Sequence, residues 1–122
     1  MASSIKQIAL KTIQLEARSV TELEAYIDDD FERVINSIHS IKGRVVISGI
    51  GKSAVIAQKI VATLNSTGTP SIFMHAADAI HGDLGMVQQD DLVIIISKSG
   101  ESPEIKVLVP LIKNFGNNLV GM

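Results

Sequence analysis

The chain has 122 residues, of which 46% are hydrophobic and only 3% aromatic, with a formal net charge of −2 and no cysteine. This length suits one domain, whose core must be filled by Val, Ile, Leu and Ala. The lack of cysteine excludes disulfides, a cysteine nucleophile and thiolate metal sites. The basic residues are scattered, which argues against nucleic-acid or membrane-surface binding. No apolar stretch approaches the roughly 18 residues of a membrane span, and the N-terminus lacks a signal-peptide pattern, so we expect a cytoplasmic protein.

The first 40 residues predict two helices. Apolar residues recur every three or four positions over residues 3–27, which predicts one long helix, and a second helix is predicted over residues 29–40. At about 1.5 Å per residue the first helix would exceed roughly 30 Å, longer than a small sheet is wide. We therefore expect part of its apolar stripe, from Ile5 to Ile27, to contact another subunit.

From residue 44 onward, short β-branched runs alternate with helical patterns. Residues 75–86 are expected to be irregular apart from one helical turn. The order is that of right-handed βαβ units and predicts an α/β fold with a doubly wound parallel sheet. Because the last strand resembles a central strand with nothing after it, we expect the chain to cover only part of the full domain. The predicted strands are residues 44–48, 71–74, 92–96 and 118–122, and the helices are residues 52–66 and 103–115.

Two turns link a buried strand to a helix, the position at which open parallel sheets bind ligands. The first turn, SGIGKS at residues 48–53, fits the dinucleotide pattern G-x-G-x-x-A at Gly49, Gly51 and Ala54. The acidic residue that this pattern requires at the end of the next strand is missing. The turn also departs from a Walker A loop, because Val46 occupies the first glycine position. A tight turn that packs helix closely on strand is the structural alternative.

The second turn, residues 97–102, combines three serines with a glycine. Hydroxyls and free backbone amides at the start of a helix form an anion site. The structural alternative is that Ser102 caps the helix while Glu104 complements its dipole. Capping leaves Ser97 and Ser99 unexplained, so we predict that this turn binds an anion.

Together, GIGKSA and ISKSGESPE resemble the sugar isomerase (SIS) domain, and STGTPSIFMHAADAIHGDLGM between them is similar to arabinose 5-phosphate isomerases. The resemblance covers nearly the whole chain. It implies a flavodoxin-like fold in a single SIS domain over residues 1–122, without CBS domains, assembled as a homodimer or homotetramer. It also implies interconversion of ribulose 5-phosphate and arabinose 5-phosphate without a metal or cofactor. In that family the product feeds synthesis of the sugar acid Kdo for lipopolysaccharide or capsule.

The resemblance also implies roles for individual residues. Lys98 departs from the family pattern, in which an amide or small polar residue is usual; it either adds charge to the phosphate site or faces solvent. The residues that match positions linked to the chemistry are Lys52, His81 and Glu104. The candidates for substrate binding are Gly51, Ser53, His75, Ser97, Lys98, Ser99 and Ser102, with the three serines of the second turn on the phosphate.

Isomerisation of an aldose to a ketose moves a proton between adjacent carbons through an enediolate. One group must remove a weakly acidic C–H proton, a task that suits a carboxylate or an imidazole. An ammonium or imidazole suits the second task, stabilising the negative charge on oxygen. We therefore expect Glu104 to face the sugar carbons and Glu101 to be a solvated surface residue.

Other functions compete for the same residues. A non-catalytic phosphosugar-sensing module needs only the serine turn, whereas the three catalytic candidates favour an enzyme. A metal site at His75 and His81 is disfavoured because no cluster has metal-ligand spacing. A nucleotide-activated Kdo is a candidate feedback ligand, since its carboxylate and phosphate suit the helix starts at Ser53 and Ser102.

Overall fold

The computed structural model describes residues 4–122, and the chain divides into two compact units after Asn36. The N-terminal unit contains α1 (Ile5–Glu22), a 3₁₀ turn (Leu23–Tyr26) and the first part of α2 (Asp29–Ser40). The second unit begins within α2 and contains all the strands. Its further elements are β1 (Val45–Gly49), α3 (Lys52–Ser66), β2 (Ser71–His75), α4 (Ala76–Ala79), a 3₁₀ turn (Asp83–Met86), β3 (Leu92–Ile95), α5 (Pro103–Phe115) and β4 (Asn118–Gly121).

The N-terminal helix α1 is capped by side chains and has an apolar surface. Ser4 Oγ accepts a hydrogen bond from the Gln7 amide at 3.2 Å, while Gln7 Oε1 accepts one from the Ser4 amide at 2.9 Å. This capping box satisfies two amides that the helix itself leaves unpaired. No residue of α1 is buried, and Ile13 and Val20 are 62% and 67% exposed. The helix therefore presents its apolar side chains at the surface.

The end of α1 differs from the sequence prediction of one helix over residues 3–27. The α-helix ends at Glu22, and Leu23–Tyr26 is a tighter 3₁₀ turn, as is common at helix C-termini. The predicted start at residue 3 lies outside the described residues. With 18 residues α1 is about 27 Å long, shorter than the sequence predicts. The second helix, Asp29–Ser40, has the predicted bounds.

The four strands form one parallel sheet in the order β2-β1-β3-β4. Strand β1 lies in the interior, and Val45 is in register with Ser71 of β2 and Leu92 of β3. This order matches the first four positions of the doubly wound 2-1-3-4-5 sheet. The predicted α/β fold with a parallel sheet is therefore confirmed. All four strands end at the same edge, here called the carboxyl edge.

Both faces of the sheet are covered, because successive side chains of a strand point to opposite faces. On one face Val45 and Ile47 of β1 pack with Ala57 of α3. On the other face Val46 belongs to a cluster with side chains of α4 and α5, whose fully buried members include Leu108 and Ile112. Since α3 and α5 leave the sheet on opposite faces, a crevice opens between the ends of β1 and β3.

The opposite edge of the sheet is held by a set of hydrogen bonds that we call the amino-edge clamp, formed by Arg44, Gln88 and Asp91. The Arg44 guanidinium donates to Asp91 Oδ2 at 2.8 Å and to the Met86 carbonyl at 2.9 Å. The amides of Arg44 and Gln88 also donate to the Asp91 carboxylate, both at 2.8 Å. Asp91 is 3% exposed, so the clamp ties three chain segments around a buried charge.

The clamp explains where the first strand begins. The sequence predicts a strand over residues 44–48, but the Arg44 amide donates to Asp91, and β1 starts one residue later. The preceding Gly43 fits closely against the chain, since a Cβ there would lie 2.4 Å from the Asp90 carbonyl oxygen.

At its other end, β1 continues to Gly49, which pairs with His75 at the end of β2. Strand β2 is therefore one residue longer than predicted.

The segment predicted to be irregular contains two helical turns instead of one. These are α4, which directly follows β2, and the 3₁₀ turn Asp83–Met86. Gly82 between them has φ 144°, a conformation that other residues rarely adopt. The structure therefore gives the His81 loop more order than its sequence pattern predicts.

Candidate functional site

The first candidate turn connects β1 to α3. Gly51 occupies the N-cap position with φ 61°, in the left-handed region that favours glycine. Gly49 also fits closely, because a Cβ there would lie 3.1 Å from the backbone of Ser53. Lys52 and Ser53 open the helix, so their amides have no acceptor within it. Lys52 is exposed and Ser53 is half-buried.

The second candidate turn, residues 97–102, is braced by its own serines. Ser97 Oγ accepts a hydrogen bond from the Gly100 amide at 2.9 Å, and Ser99 Oγ accepts one from the Glu101 amide at 3.1 Å. The turn therefore gives these two serines a structural role that the sequence argument did not identify. A hydroxyl that accepts still has its proton to donate, so both serines remain able to bind a phosphate oxygen.

Ser102 occupies the N-cap position of α5, but its side chain does not cap the helix. Its backbone is extended, with φ −63° and ψ 143°, as an N-cap requires, yet the side chain makes no capping hydrogen bond. The Ser102 hydroxyl oxygen is buried and has no hydrogen-bond partner in the described part of the chain. The capping alternative for this residue is therefore wrong, and the hydroxyl remains available beside the unpaired first-turn amides of Glu104 and Ile105.

The two carboxylates of this segment have different environments. Glu101 is exposed and forms an ion pair with Lys106, as expected for a surface residue. Glu104 is half-buried in the first turn of α5. Only Glu104 therefore combines partial burial with a position at the carboxyl edge.

The histidines also differ from each other. His75 ends β2 and caps α4, because its Nδ1 accepts a hydrogen bond from the Ala77 amide at 3.2 Å. Its ring also meets Phe73 edge-on, with ring centroids 6.2 Å apart. With Nδ1 accepting, the neutral ring carries its proton on Nε2, which remains a free donor. His81 lies exposed in the turn after α4, where its amide donates to the Asp78 carbonyl at 3.1 Å.

The structure brings part of the predicted site into one groove. A groove of about 540 Å³ runs between α5 and β4, and its lining includes Ser97, Lys98 and Ser99. Its other walls are mostly apolar, and the three catalytic candidates are not among its lining residues. Lys52 and Glu104 lie at the same sheet edge, at the starts of α3 and α5. Lys52 and Glu104 therefore share one edge of the sheet, but this groove does not enclose them.

One polar residue at this edge was missed by the sequence analysis. Ser48 lies in β1, is fully buried, and its hydroxyl has no hydrogen-bond partner among residues 4–122. The available signal was a single hydroxyl within an otherwise apolar buried run, Val45-Val46-Ile47.

Two classes of site are not found in the described residues. Within residues 4–122, no group of three or more His, Asp or Glu side chains is arranged to hold a metal ion. None of the helices in that range combines the length and the apolar character needed to cross a membrane.

An open parallel sheet with glycine- and serine-rich turns at its carboxyl edge defines a doubly wound α/β domain. The chain belongs to the SIS domain family, whose model matches residues 37–122. This match confirms the resemblance carried by GIGKSA and ISKSGESPE.

Three relatives illustrate the similarity. The probable arabinose 5-phosphate isomerase of Haemophilus influenzae is 46% identical over 116 residues, covering 95% of this chain and 34% of the relative. The arabinose 5-phosphate isomerase KdsD of Pseudomonas aeruginosa is 50% identical over 114 residues, covering 93% and 35%. The structure of an E. coli CFT073 protein in complex with arabinose 5-phosphate shares 41% identity, with a TM-score of 0.81, and covers 98% of this chain and 65% of that one. The chain thus spans about a third of the length of the two curated relatives.

Proposed function

We propose that this chain forms the substrate-binding part of an arabinose 5-phosphate isomerase, which interconverts ribulose 5-phosphate and arabinose 5-phosphate. The observation that carries the proposal is the second turn. There the buried, unpartnered hydroxyl of Ser102 lies beside the unpaired amides of α5 and the braced serines. The names of the relatives support the substrate, and the product would feed Kdo synthesis for lipopolysaccharide or capsule.

The phosphate would bind at the start of α5. Ser97, Ser99 and Ser102 would donate hydroxyl protons to its oxygens, and the helix dipole would favour its charge. Lys98 is exposed beside these serines and would add a positive charge. Gly51 and Ser53 would approach from the first turn, and His75 would offer Nε2 from the end of β2. Binding of this kind fixes the sugar carbons relative to the chemical groups.

The chemistry would be a proton transfer through an enediolate. Glu104 would remove the proton from C2 of the aldose and return it to C1, while the hydroxyl proton on O2 moves to O1, giving the ketose. The half-buried position of Glu104 in the first turn of α5 places it beside the proposed phosphate site. Lys52 and His81 would stabilise the negative charge that develops on oxygen. No step needs a metal or an organic cofactor.

The phosphate assignment predicts that Ser99→Ala weakens binding of arabinose 5-phosphate by about 1–3 kcal/mol, because a hydrogen bond to a charged oxygen is lost. Isothermal titration calorimetry measures the change. Ser66→Ala is the matched control, since its hydroxyl bonds only the Ala62 carbonyl near the far end of α3. Unchanged affinity in both Ser97→Ala and Ser99→Ala would remove the phosphate from this turn.

The proposed function includes a homo-oligomer, either a dimer or a tetramer, in which α1 contacts another subunit. The exposed side chains of Ile13 and Val20 support this proposal. Replacing both with glutamate is expected to give a monomer or an aggregate, because charges replace apolar side chains at a contact surface. Light scattering compares this variant with the parent and with a control, Lys11→Glu. Lys11 lies on the side of α1 opposite Ile13 and Val20. A monomeric parent protein at working concentration contradicts the proposal.

Two further parts of the proposal concern its cellular setting. A nucleotide-activated Kdo, as a later product, would bind at the helix starts of Ser53 and Ser102 and inhibit the enzyme. The cytoplasm is the compartment that we propose for this reaction. Both remain predictions.

A further inference from the structure

Ser48 has a buried hydroxyl that the fold leaves without a partner. The residue is 0% exposed, and its hydroxyl oxygen makes no hydrogen bond within the described residues. Buried hydroxyls normally have a partner, and one without a partner lowers stability. Ser71 on the neighbouring strand shows the ordinary arrangement, since its hydroxyl donates to the Val45 carbonyl at 2.7 Å. The exception at Ser48 therefore calls for a specific explanation.

The register places Ser48 beneath the proposed site. Its partners on either side are Met74 of β2 and Ile95 of β3, so it lies one residue before the strand ends at the carboxyl edge. Strand alternation puts its side chain on the same face as Val46. That face packs against α4 and α5, through Ala76 in the first turn of α4 and Ile105 in the first turn of α5.

A second unpartnered hydroxyl lies at the same edge. Ser102 begins α5, and its hydroxyl oxygen is also buried. These two are the buried side-chain polar atoms without a partner in the part of the chain that the structure describes. Both accompany the strand–helix connections that form the proposed phosphate site, and neither lies at the amino edge.

We propose that Ser48 is a substrate-positioning residue whose hydroxyl gains its hydrogen bond only when a sugar phosphate is bound. Because Ser48 is fully buried, the link is one internal water that bridges the Ser48 and Ser102 hydroxyls to a ligand oxygen. Such a water needs two to four polar partners, and the bound ligand completes the set. This inference rests on the proposed function and adds a specific residue to it.

The proposal predicts opposite effects on stability and on binding. Ser48→Ala removes an unpartnered hydroxyl, so the free protein is expected to have an unchanged or higher melting temperature. The same variant is expected to bind arabinose 5-phosphate about tenfold more weakly, the typical effect of one hydrogen bond. Ser48→Cys fills the space of the side chain with a somewhat larger thiol that is only a weak donor, so it tests binding without leaving a cavity.

Ser71→Ala is the matched control, because it removes a buried hydroxyl whose hydrogen bond is already made. It is expected to lower the melting temperature and to leave the affinity unchanged. Thermal unfolding and calorimetry on the native protein measure both quantities for the parent and each variant. Parent affinity in Ser48→Ala and Ser48→Cys overturns the proposal, as does a free protein that both Ser48 variants destabilise as much as Ser71→Ala does.

The same experiment separates this inference from the proposed function. If the parent does not bind arabinose 5-phosphate, the proposed function fails, and titration with inorganic phosphate then decides the role of Ser48. A tenfold loss of phosphate affinity in Ser48→Ala supports that role. A parent that binds neither compound overturns both.

Discussion

Replacing Asp91 with asparagine is expected to lower the free energy of unfolding by about 3–5 kcal/mol, the usual cost of breaking a buried ion pair. The carboxylate accepts hydrogen bonds from the Arg44 side chain and from the amides of Arg44 and Gln88. An asparagine supplies one oxygen and places an NH₂ group among these donors. Chemical denaturation measures the change. Asp90→Asn is the control at an exposed neighbouring position, and it is expected to change stability by less than about 0.5 kcal/mol.

The same carboxylate predicts a pH dependence. Burial alone raises the pKa of Asp91, but hydrogen bonds from the Arg44 side chain and from the Gln88 and Arg44 amides, together with the Arg44 charge, hold its pKa below the usual 3.8. The unfolded chain therefore binds the proton more readily than the folded one. The stabilisation is complete above this unfolded value and is lost as the pH falls through the folded pKa. The stability difference between parent and Asp91→Asn should shrink below about pH 4; a constant difference down to pH 2 would contradict this assignment.

Glu104→Gln is expected to lower kcat by about 10²- to 10⁴-fold with a smaller change in KM, since glutamine keeps the shape of the side chain but accepts no proton. Lys52→Met should also lower kcat strongly, because it removes the charge that stabilises the enediolate oxygen. Steady-state assays with ribulose 5-phosphate on the native protein measure both effects.

Glu101→Gln is the matched control for Glu104→Gln. It makes the same chemical change three residues earlier, at an exposed side chain whose partner is Lys106. Its kcat should equal that of the parent. If Glu104→Gln and Lys52→Met also retain the parent rate, the catalytic roles are wrong, and a non-catalytic sugar-phosphate sensor becomes the better explanation.

Much of the fold was predictable because local patterns and burial agree. The run Leu92–Ile95 is apolar throughout, as a strand buried on both faces requires, and all four of its residues are buried. Helix α5 begins at Pro103 and ends before Gly116, two signals that the sequence states directly. The end of α1 was not predictable from periodicity, because a 3₁₀ turn continues the apolar spacing of the α-helix that precedes it.

The site was predictable at the level of its turns but not of its individual contacts. Sequence alone identified Ser97, Ser99 and Ser102 as one group, yet the first two accept from backbone amides and the third has no partner among the described residues. These differences depend on where each hydroxyl lies once the turn has folded. The pairing of Arg44 with Asp91 was also hidden, since 47 residues separate them along the chain.

The amino-edge clamp has a consequence for laboratory evolution of this chain. It stabilises one edge of the sheet with Arg44, Gln88 and Asp91, while the turns that carry the proposed chemistry lie at the other edge. A mutant library directed at Lys98, an exposed residue of the second turn, therefore leaves the clamp intact and should yield mostly folded variants. A library that randomises Asp91 should yield few. Selection for new sugar phosphates can explore the carboxyl edge, because the clamp that stabilises the sheet is separate from the turns of the proposed site.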